Sequence, residues 1–395
     1  MLTEMRRLSI LLLLALSSCG PASAGNSQPE SSVSGPSSMP LSGAAAGTSA
    51  NPWRLEDNSP SLQFEGISCP TIVRCWVVGN GPSGAVIMST SDGGAHWSKQ
   101  TPPVNLGTTP DLHEISCTDP LHCWAVGQDV GGPAEIIATR DGGATWSGQS
   151  YPADTGLTNF GNLESIVCPT LDHCWAAGAN RRTSTTDRPA VLLATADGGT
   201  TTWTQQAYPP DSGLSNGEFL QVTCADGDHC WAVGDTGGAV YTGATPVILS
   251  TVNGGGNWVS QSPPAGTASQ VVQSISCPTV TTCWAIALVA TTGPVLIWQT
   301  ADGGGTWVDR TPSSLGLSLG GTRINRVSCP TPTDCWAVGN SATGGAMIAA
   351  TVDGGATWTS QILPAVNQGT LTSIQCKGAS ACWIAGISFV LAAVK

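Results

Sequence analysis

The sequence predicts an all-β fold: a propeller of seven four-stranded antiparallel blades, closed into a ring by strands from both ends of the chain. Three observations carry this. Cys-x5-Cys-Trp occurs seven times, at Cys69/Cys75, Cys117/Cys123, Cys168/Cys174, Cys224/Cys230, Cys277/Cys283, Cys329/Cys335 and Cys376/Cys382. A Thr-x-Asp-Gly-Gly turn followed by Trp occurs six times, ending at Trp97, Trp146, Trp203, Trp258, Trp307 and Trp358. Successive first cysteines lie 48, 51, 56, 53, 52 and 47 residues apart, and a period near fifty in a strand-rich chain marks a propeller or solenoid.

Taken in order, the chain begins with an export pattern. Arg6 and Arg7 precede the apolar run Leu8–Leu16, which is too short to span a bilayer as a mature helix. Leu16-Ser17-Ser18-Cys19 resembles a bacterial lipobox. Residues 1–18 are therefore read as a lipoprotein signal peptide and Cys19 as the lipidated N-terminus. Residues 19–52 form a Gly/Ser/Ala/Pro linker that cannot bury a core. As a random coil it would hold the repeats about 30 Å from a membrane.

Residues 53–395 carry the repeats. In each, an apolar strand such as Leu112–Cys117 or Leu163–Cys168 leads through a tight turn to Cys-Trp-Ala-Val-Gly. A Gly-rich loop then leads to a third strand such as Ala85–Thr90 or Val247–Thr251. The Asp-Gly-Gly turn introduces a fourth strand near the Trp, and short strands broken by Gly/Pro turns are the all-β signature. The seventh repeat lacks this turn and ends in Ile387–Leu391. Trp53 stands where a turn Trp would, so residues 52–60 are expected to supply the missing outer strand and remove an open edge.

The motif residues suit structural work. Asp92, Asp141, Asp197, Asp302 and Asp353 can accept backbone N–H bonds within their turns, as can Asn253 in the fourth repeat. The third repeat holds one extra residue before Trp203, which suggests a bulged turn. The cysteine pairs flank short turns between adjacent strands, where a disulfide fits, and each closed loop is worth about 2 kcal/mol in the chain-entropy model. Fourteen cysteines in a regular framework imply an oxidising compartment. Five-residue gaps and five histidines do not make Cys/His metal sites, so neither metal nor cofactor is expected.

On these motifs the chain resembles two groups of proteins. The Thr-x-Asp-Gly-Gly-x-x-Trp units resemble the Asp-box repeat of bacterial neuraminidases. Cys-Trp-Ala-Val-Gly followed by that box resembles propellers of the photosystem II assembly/stability-factor type, in which Gly-Trp-Ala-Val-Gly holds the equivalent place. The cysteine departs from that pattern. The resemblance covers residues 53–395 and implies the propeller fold. It leaves activity open, because Asp boxes occur in sialidases, xyloglucanases, sorting receptors and scaffolds without activity.

Charge narrows the partners. Formal net charge is −12, lysine occurs only at Lys99, Lys377 and Lys395, and no basic patch suits phosphate neutralisation, which excludes nucleic acid. Candidate binding residues fall near the inner strands and in loops: Glu65, Glu114 and Glu164 against Arg323 and Arg326, with Arg181, Arg182 and Arg188 in the third repeat. No catalytic set is evident; a sialidase would need three clustered arginines and a Tyr–Glu pair. His113, His122, His173 and His229 recur near the hairpins, and the last three directly precede the second Cys, which favours a turn role. The expected function is a lipid-anchored, extracytoplasmic, monomeric scaffold in the cell envelope that binds a protein at its loop face without catalysis. It would touch the membrane only through its anchor. The alternative is a sugar-binding protein or glycoside hydrolase taking a glycan at the channel mouth.

Overall fold

A computed structural model describes residues 52–180, 189–237, 244–267, 269–289, 294–312, 322–364 and 369–394. The signal and linker readings, Cys19, Arg181, Arg182 and Arg188 lie outside them. Each hairpin repeat opens on an apolar strand that ends at or beside its first Cys. The first repeat supplies β1 (Arg54–Ser68), β2 (Cys75–Gly81), β3 (Gly84–Thr90) and β4 (Ser98–Gln100). The second supplies β5 (Pro110–Cys117), β6 (Cys123–Asp129), β7 (Ala134–Thr139) and β8 (Ser147–Gly148). The third supplies β9 (Gly161–Val167), β10 (Cys174–Asn180), β11 (Ala190–Thr195) and β12 (Thr204–Gln205). The fourth supplies β13 (Glu218–Cys224), β14 (Cys230–Asp235), β15 (Pro246–Thr251) and β16 (Val259–Ser260). The fifth supplies β17 (Gln270–Ser276), β18 (Cys283–Val289), β19 (Val295–Thr300) and β20 (Val308–Asp309). The sixth supplies β21 (Arg323–Ser328), β22 (Cys335–Asn340), β23 (Ala346–Thr351) and β24 (Thr359–Ser360), and the seventh β25 (Leu371–Lys377) and β26 (Ala381–Val394).

These strands form a propeller of six blades, which corrects the expected seven. Repeats two to six each make a four-stranded antiparallel sheet, while the first and seventh share one six-stranded sheet ordered β25-β26-β1-β2-β3-β4. The physical cause is continuity. The stretch expected as a separate third strand, Ile387–Leu391, continues β26, and residues 54–58 continue into β1. The chain termini do pair, Arg54 facing Ala392 and Asn58 facing Phe389, with the register broken between Asn58 and Gln63. The two halves of this sheet also pack on each other, Phe64 and Val77 against Trp383 and Val390.

The core lies between neighbouring repeats and is built on pairs of tryptophans. The hairpin Trp of one repeat shares a buried cluster with the turn Trp of the next: Trp76 with Trp146, Trp124 with Trp203, Trp175 with Trp258, Trp231 with Trp307 and Trp284 with Trp358. Trp53 takes that place beside Trp336, and Trp97 packs partly buried beside Trp383. Burying such rings is the largest single apolar contribution a side chain makes. A glutamine three residues after the turn Trp adds a polar clamp. Gln100 Nε2 donates to the Gly142 carbonyl at 3.2 Å, and its Oε1 accepts from Trp146 Nε1 at 2.9 Å. Gln261 does the same with Gly303 and Trp307.

The turns are closed as their residue types allow. In the second repeat Thr139 Oγ1 donates to Asp141 Oδ1 and accepts from Gly143 N, while Thr145 N donates to Asp141 Oδ1. Gly142 and Gly143 have positive φ, which only glycine adopts without strain. The extra residue of the third repeat is absorbed because Asp197 accepts from both Thr200 N and Thr201 N.

All seven cysteine pairs are disulfides within their own repeat: Cys69–Cys75, Cys117–Cys123, Cys168–Cys174, Cys224–Cys230, Cys277–Cys283, Cys329–Cys335 and Cys376–Cys382, with Cα–Cα distances of 4.0–4.1 Å. The seventh departs from the expected placement at the edge of a turn. In the other six repeats the second Cys opens its strand, whereas Cys382 lies inside β26, which begins at Ala381. Cys376 faces Cys382 in the ladder, and Lys377 still pairs with Ala381 beyond them. The cause is local. Lys377 stands where four other repeats have Pro (Pro70, Pro169, Pro278, Pro330). Proline lacks the N–H, and those four ladders end one residue before the Cys; without proline the ladder reaches the Cys pair in the second and fourth repeats and runs on to Lys377 and Ala381 in the seventh.

The packing and the turns can each be tested. Trp53→Ala removes a side chain that is 2% exposed; it should cost about 3–5 kcal/mol, read from equilibrium denaturation. N–H and hydroxyl donors hold the turn carboxylates Asp92, Asp141, Asp197, Asp302 and Asp353 below the ordinary range, Asp141 at about 2 chiefly through the Thr145 hydroxyl. A depressed folded-state pKa contributes stability that is complete above the unfolded value and lost as pH falls through the folded one. The contribution of these turns should therefore be complete above pH ~4 and lost as pH falls towards ~2, so that the acid limb of the melting curve reports them. Asp141→Asn should shrink that loss in a thermal melt series.

Candidate functional site at the channel mouth

The first strands of the repeats, β1, β5, β9, β13, β17, β21 and β25, touch one another in ring order and line a central channel. Each inner strand carries a β-bulge at one fixed place, four residues before the first Cys. The skipped residues are Glu65, His113, Glu164, Leu220, Gln273, Asn325 and Thr372. Opposite the bulge stands the Gly that ends Cys-Trp-Ala-Val-Gly in most repeats. A Cβ on Gly79, Gly127, Gly178, Gly234 or Gly339 would lie 1.8–2.0 Å from a carbonyl oxygen of the inner strand. The fifth repeat has Ala287 there. A bulge re-aims a side chain, and in repeats one to three the re-aimed side chains are titratable.

Glu65, Asp111 and His113 converge, each offering a ligand-type atom within 4.8 Å of the others. Close approach of two backbones makes this possible. A Cβ on Gly66 would stand 2.8 Å from Glu114 Cα and 2.9 Å from the His113 carbonyl oxygen, so β1 and β5 meet there. His113 Nε2 faces Asp111 Oδ2 at 3.6 Å, and Nδ1 faces Glu164 Oε2 at 3.5 Å. Asn80 Nδ2 donates to Asp111 Oδ1 at 2.7 Å, and Asn162 Nδ2 donates to Glu164 Oε1 at 2.6 Å. One residue deeper, Arg326 Nη2 donates to Glu114 Oε2 at 3.3 Å. Because β5 and β21 are not ring neighbours, this ion pair spans the bore.

Burial and mutual charge set the proton affinities. Burial lifts Glu65 to about 7, His113 opposing and Asp111 and Glu164 assisting. Burial works to lower His113, but Glu164, Asp111 and Glu65 overcome it and raise the imidazole to about 9. Burial also works to raise Asp111, yet His113 and Asn80 hold it below its ordinary value. Glu114 is pushed up by burial, and Arg326 pulls it back only in part.

The structure thus gathers Glu65, Glu114, Glu164 and Arg326 from the residues singled out in the sequence. Arg323 does not join them: it is exposed and turns to Asn325 Oδ1 at 3.2 Å. Asp111 and His113 belong to the cluster although no sequence motif marks them. His122 and His229 are turn residues as expected, bonded to Asp119 and Asp226, and His173 donates its N–H to Thr170. Below the cluster the bore holds a cavity of about 170 Å³ lined by Ser116, Ser165, Gln221 and Ser276 among others. A second groove, of about 350 Å³, runs between Asn80–Gly84 and Thr108–Asp111 beside exposed Val130.

Neither a protein-family profile nor any curated protein matches the chain. Solved structures do. YCF48 bound to a D1 peptide shares 18% identity over 88% of this chain and 98% of that one, with a TM-score of 0.62. The GH74 xyloglucanase from Xanthomonas campestris shares 14% identity over 86% of this chain and 53% of that one, with a TM-score of 0.61; this chain spans about half its length. A streptogramin B lyase shares 14% identity over 86% and 97%, with a TM-score of 0.59. At these identities the likeness establishes the β-propeller fold alone.

The Arg326–Glu114 pair supplies the test of this geometry. Both side chains are nearly buried, 12% and 11% exposed. Arg326→Met leaves a carboxylate uncompensated and should cost about 3 kcal/mol. Adding Glu114→Leu should recover most of that loss. Urea denaturation of the three variants reads both changes.

Proposed function

We propose that the chain is an extracytoplasmic, lipid-anchored propeller that binds a protein partner at the channel mouth and catalyses no reaction. The observation that carries this reading is the shape of the bore. The buried Arg326–Glu114 pair crosses it, and the cavity beneath, about 170 Å³, is smaller than the roughly 300–1,000 Å³ usual for small-molecule sites. The open feature is the neighbouring groove of about 350 Å³, walled by Asn80–Gly84 and Thr108–Asp111. Exposed Val130 lies beside it, and exposed Phe160 is close by, its ring edge 3.9 Å from the Cβ position of Gly131. An apolar rim beside a charged mouth suits a peptide segment better than a sugar. YCF48, a propeller of the same fold, binds a D1 peptide. The seven disulfides favour an oxidising compartment, and the Arg6–Cys19 pattern supplies the anchor. The turn geometry favours the Asp-box reading of the repeats.

A glycan reading keeps one observation of its own: Glu65, with a proton affinity near neutrality, stands beside ionised Asp111, as a general acid beside a base would. The two readings separate in one experiment. Protein purified from its native membranes is used for affinity capture, with Val130→Glu at the mouth and Leu171→Glu in a disulfide loop as variants. A glycan array and a hydrolysis assay run in parallel. We expect one protein partner, lost with Val130→Glu and kept with Leu171→Glu, and no glycan signal. Glycan binding or hydrolysis abolished by Glu65→Gln would overturn the scaffold reading.

A further inference from the structure

We propose that Glu65, Asp111 and His113 form a binding site for one divalent first-row transition-metal ion, of the Zn²⁺ or Mn²⁺ kind. The proposal concerns what the channel mouth holds and is independent of what the propeller binds. It starts from the imidazole. His113 is 7% exposed, and its Nδ1 is shut off from solvent and makes no hydrogen bond. Its two nitrogens face carboxylate oxygens at 3.5 and 3.6 Å, beyond hydrogen-bond reach. Two donors each about 2.1 Å from a shared ion, at an angle near 120°, stand about 3.6 Å apart. The spacing of Nε2 and Asp111 Oδ2 is therefore that of two ligands of one metal. Glu65 comes within the same reach.

The surroundings are arranged as an outer shell would be. Asp111 and Glu164 each have one oxygen held by an asparagine, Asn80 at 2.7 Å and Asn162 at 2.6 Å. Each turns its other oxygen to His113. Asp111 Oδ2 is thus directed at the ion. Glu164 Oε2 lies on the Nδ1 side at 3.5 Å, so a small closing movement on metal binding would let it accept Nδ1–H and leave Nε2 to ligate; such a carboxylate–imidazole–metal relay is a common feature of protein metal sites. Three carboxylates outnumber the one imidazole, protonated or not, and leave an excess of negative charge that a dication compensates. Mixed imidazole and carboxylate donors favour a transition ion over Mg²⁺ or Ca²⁺, and three protein ligands leave coordination positions open to water or a partner. The site rests on two bulges in neighbouring strands, so its geometry is set by backbone that the ring holds in place.

The test uses the full chain, stripped with a chelator and returned to Zn²⁺ or Mn²⁺ separately. We expect one ion per chain by elemental analysis after gel filtration, a melting temperature raised by several degrees, and affinity at least tenfold weaker in Glu65→Gln and His113→Gln. Asp353→Asn, in a remote turn, should bind as the wild type does. In the Mn²⁺ form, pulsed electron paramagnetic resonance should show nitrogen coupling from one imidazole, a readout that needs no variant to fold. Absence of stoichiometric binding by the wild type, absence of that coupling, or undiminished affinity in both ligand variants would overturn the site.

Discussion

Each inner strand lends a polar side chain to the backbone of the next, and the ring depends on that loan being made at every junction. Cys117 N donates to Ser68 Oγ, Cys168 N to Ser116, Cys329 N to Ser276 and Cys376 N to Ser328, at 3.0–3.1 Å. Where the third and fourth repeats lack that serine, Ser165 bonds Val222 and Gln221 bonds Ile275 instead. Gln375 then accepts from Cys69 N and closes the circle. Apart from β1, whose outer part also pairs with β26, an inner strand has a bonded neighbour within its sheet on one side only, so its other backbone groups would otherwise be buried without partners or left as an open edge. The residue types vary around the ring while the bond does not, which marks it as a requirement of closure.

The tryptophan pairs meet the same requirement on the apolar side, and here the chain ends matter most. A repeat without its own turn Trp would leave Trp336 facing a void. Trp53, from the other end of the chain, fills it. Pairing of β1 with β26 therefore completes both the hydrogen bonding and the packing.

The fold was legible because its evidence repeats: the cysteines, turn residues and tryptophans recur at fixed offsets, and local chemistry dictates what each does. The blade count was not, because Ile387–Leu391 and residues 54–58 read as separate short strands, and only the three-dimensional path shows them running on into β26 and β1. Cys382 belongs to the same long strand, and its disulfide sits within the ladder because pairing runs past it to Lys377 and Ala381. The site was half legible. Glu65, Glu114, Glu164 and Arg326 stood out as charges near inner strands. Asp111 and His113 did not, since His113 resembles the histidines of the disulfide turns. Aligning the repeats on their first Cys separates it: four residues earlier lies the bulge column, where Glu65, His113 and Glu164 stand against Leu220, Gln273, Asn325 and Thr372. Arg323 stands apart from the cluster for a related reason. It is the first residue of β21, outside the bulge, where the strand meets solvent.

The disulfides and the bulges divide the labour along one strand. The first Cys lies within one residue of the end of each inner strand, and the bulge lies four residues before it. Gathering Glu65, Asp111, Glu114 and Glu164 around His113 and Arg326 opposes folding, since an uncompensated buried charge costs several kcal/mol. Seven hairpin staples at about 2 kcal/mol each act on the same strands from the other side. They lower the entropy of the unfolded chain without touching the mouth. A ring held this way can carry an unfavourable charge cluster at three of its positions while the remaining bulges stay uncharged. The asymmetry of the mouth, set within a nearly symmetric ring, is where function is to be sought.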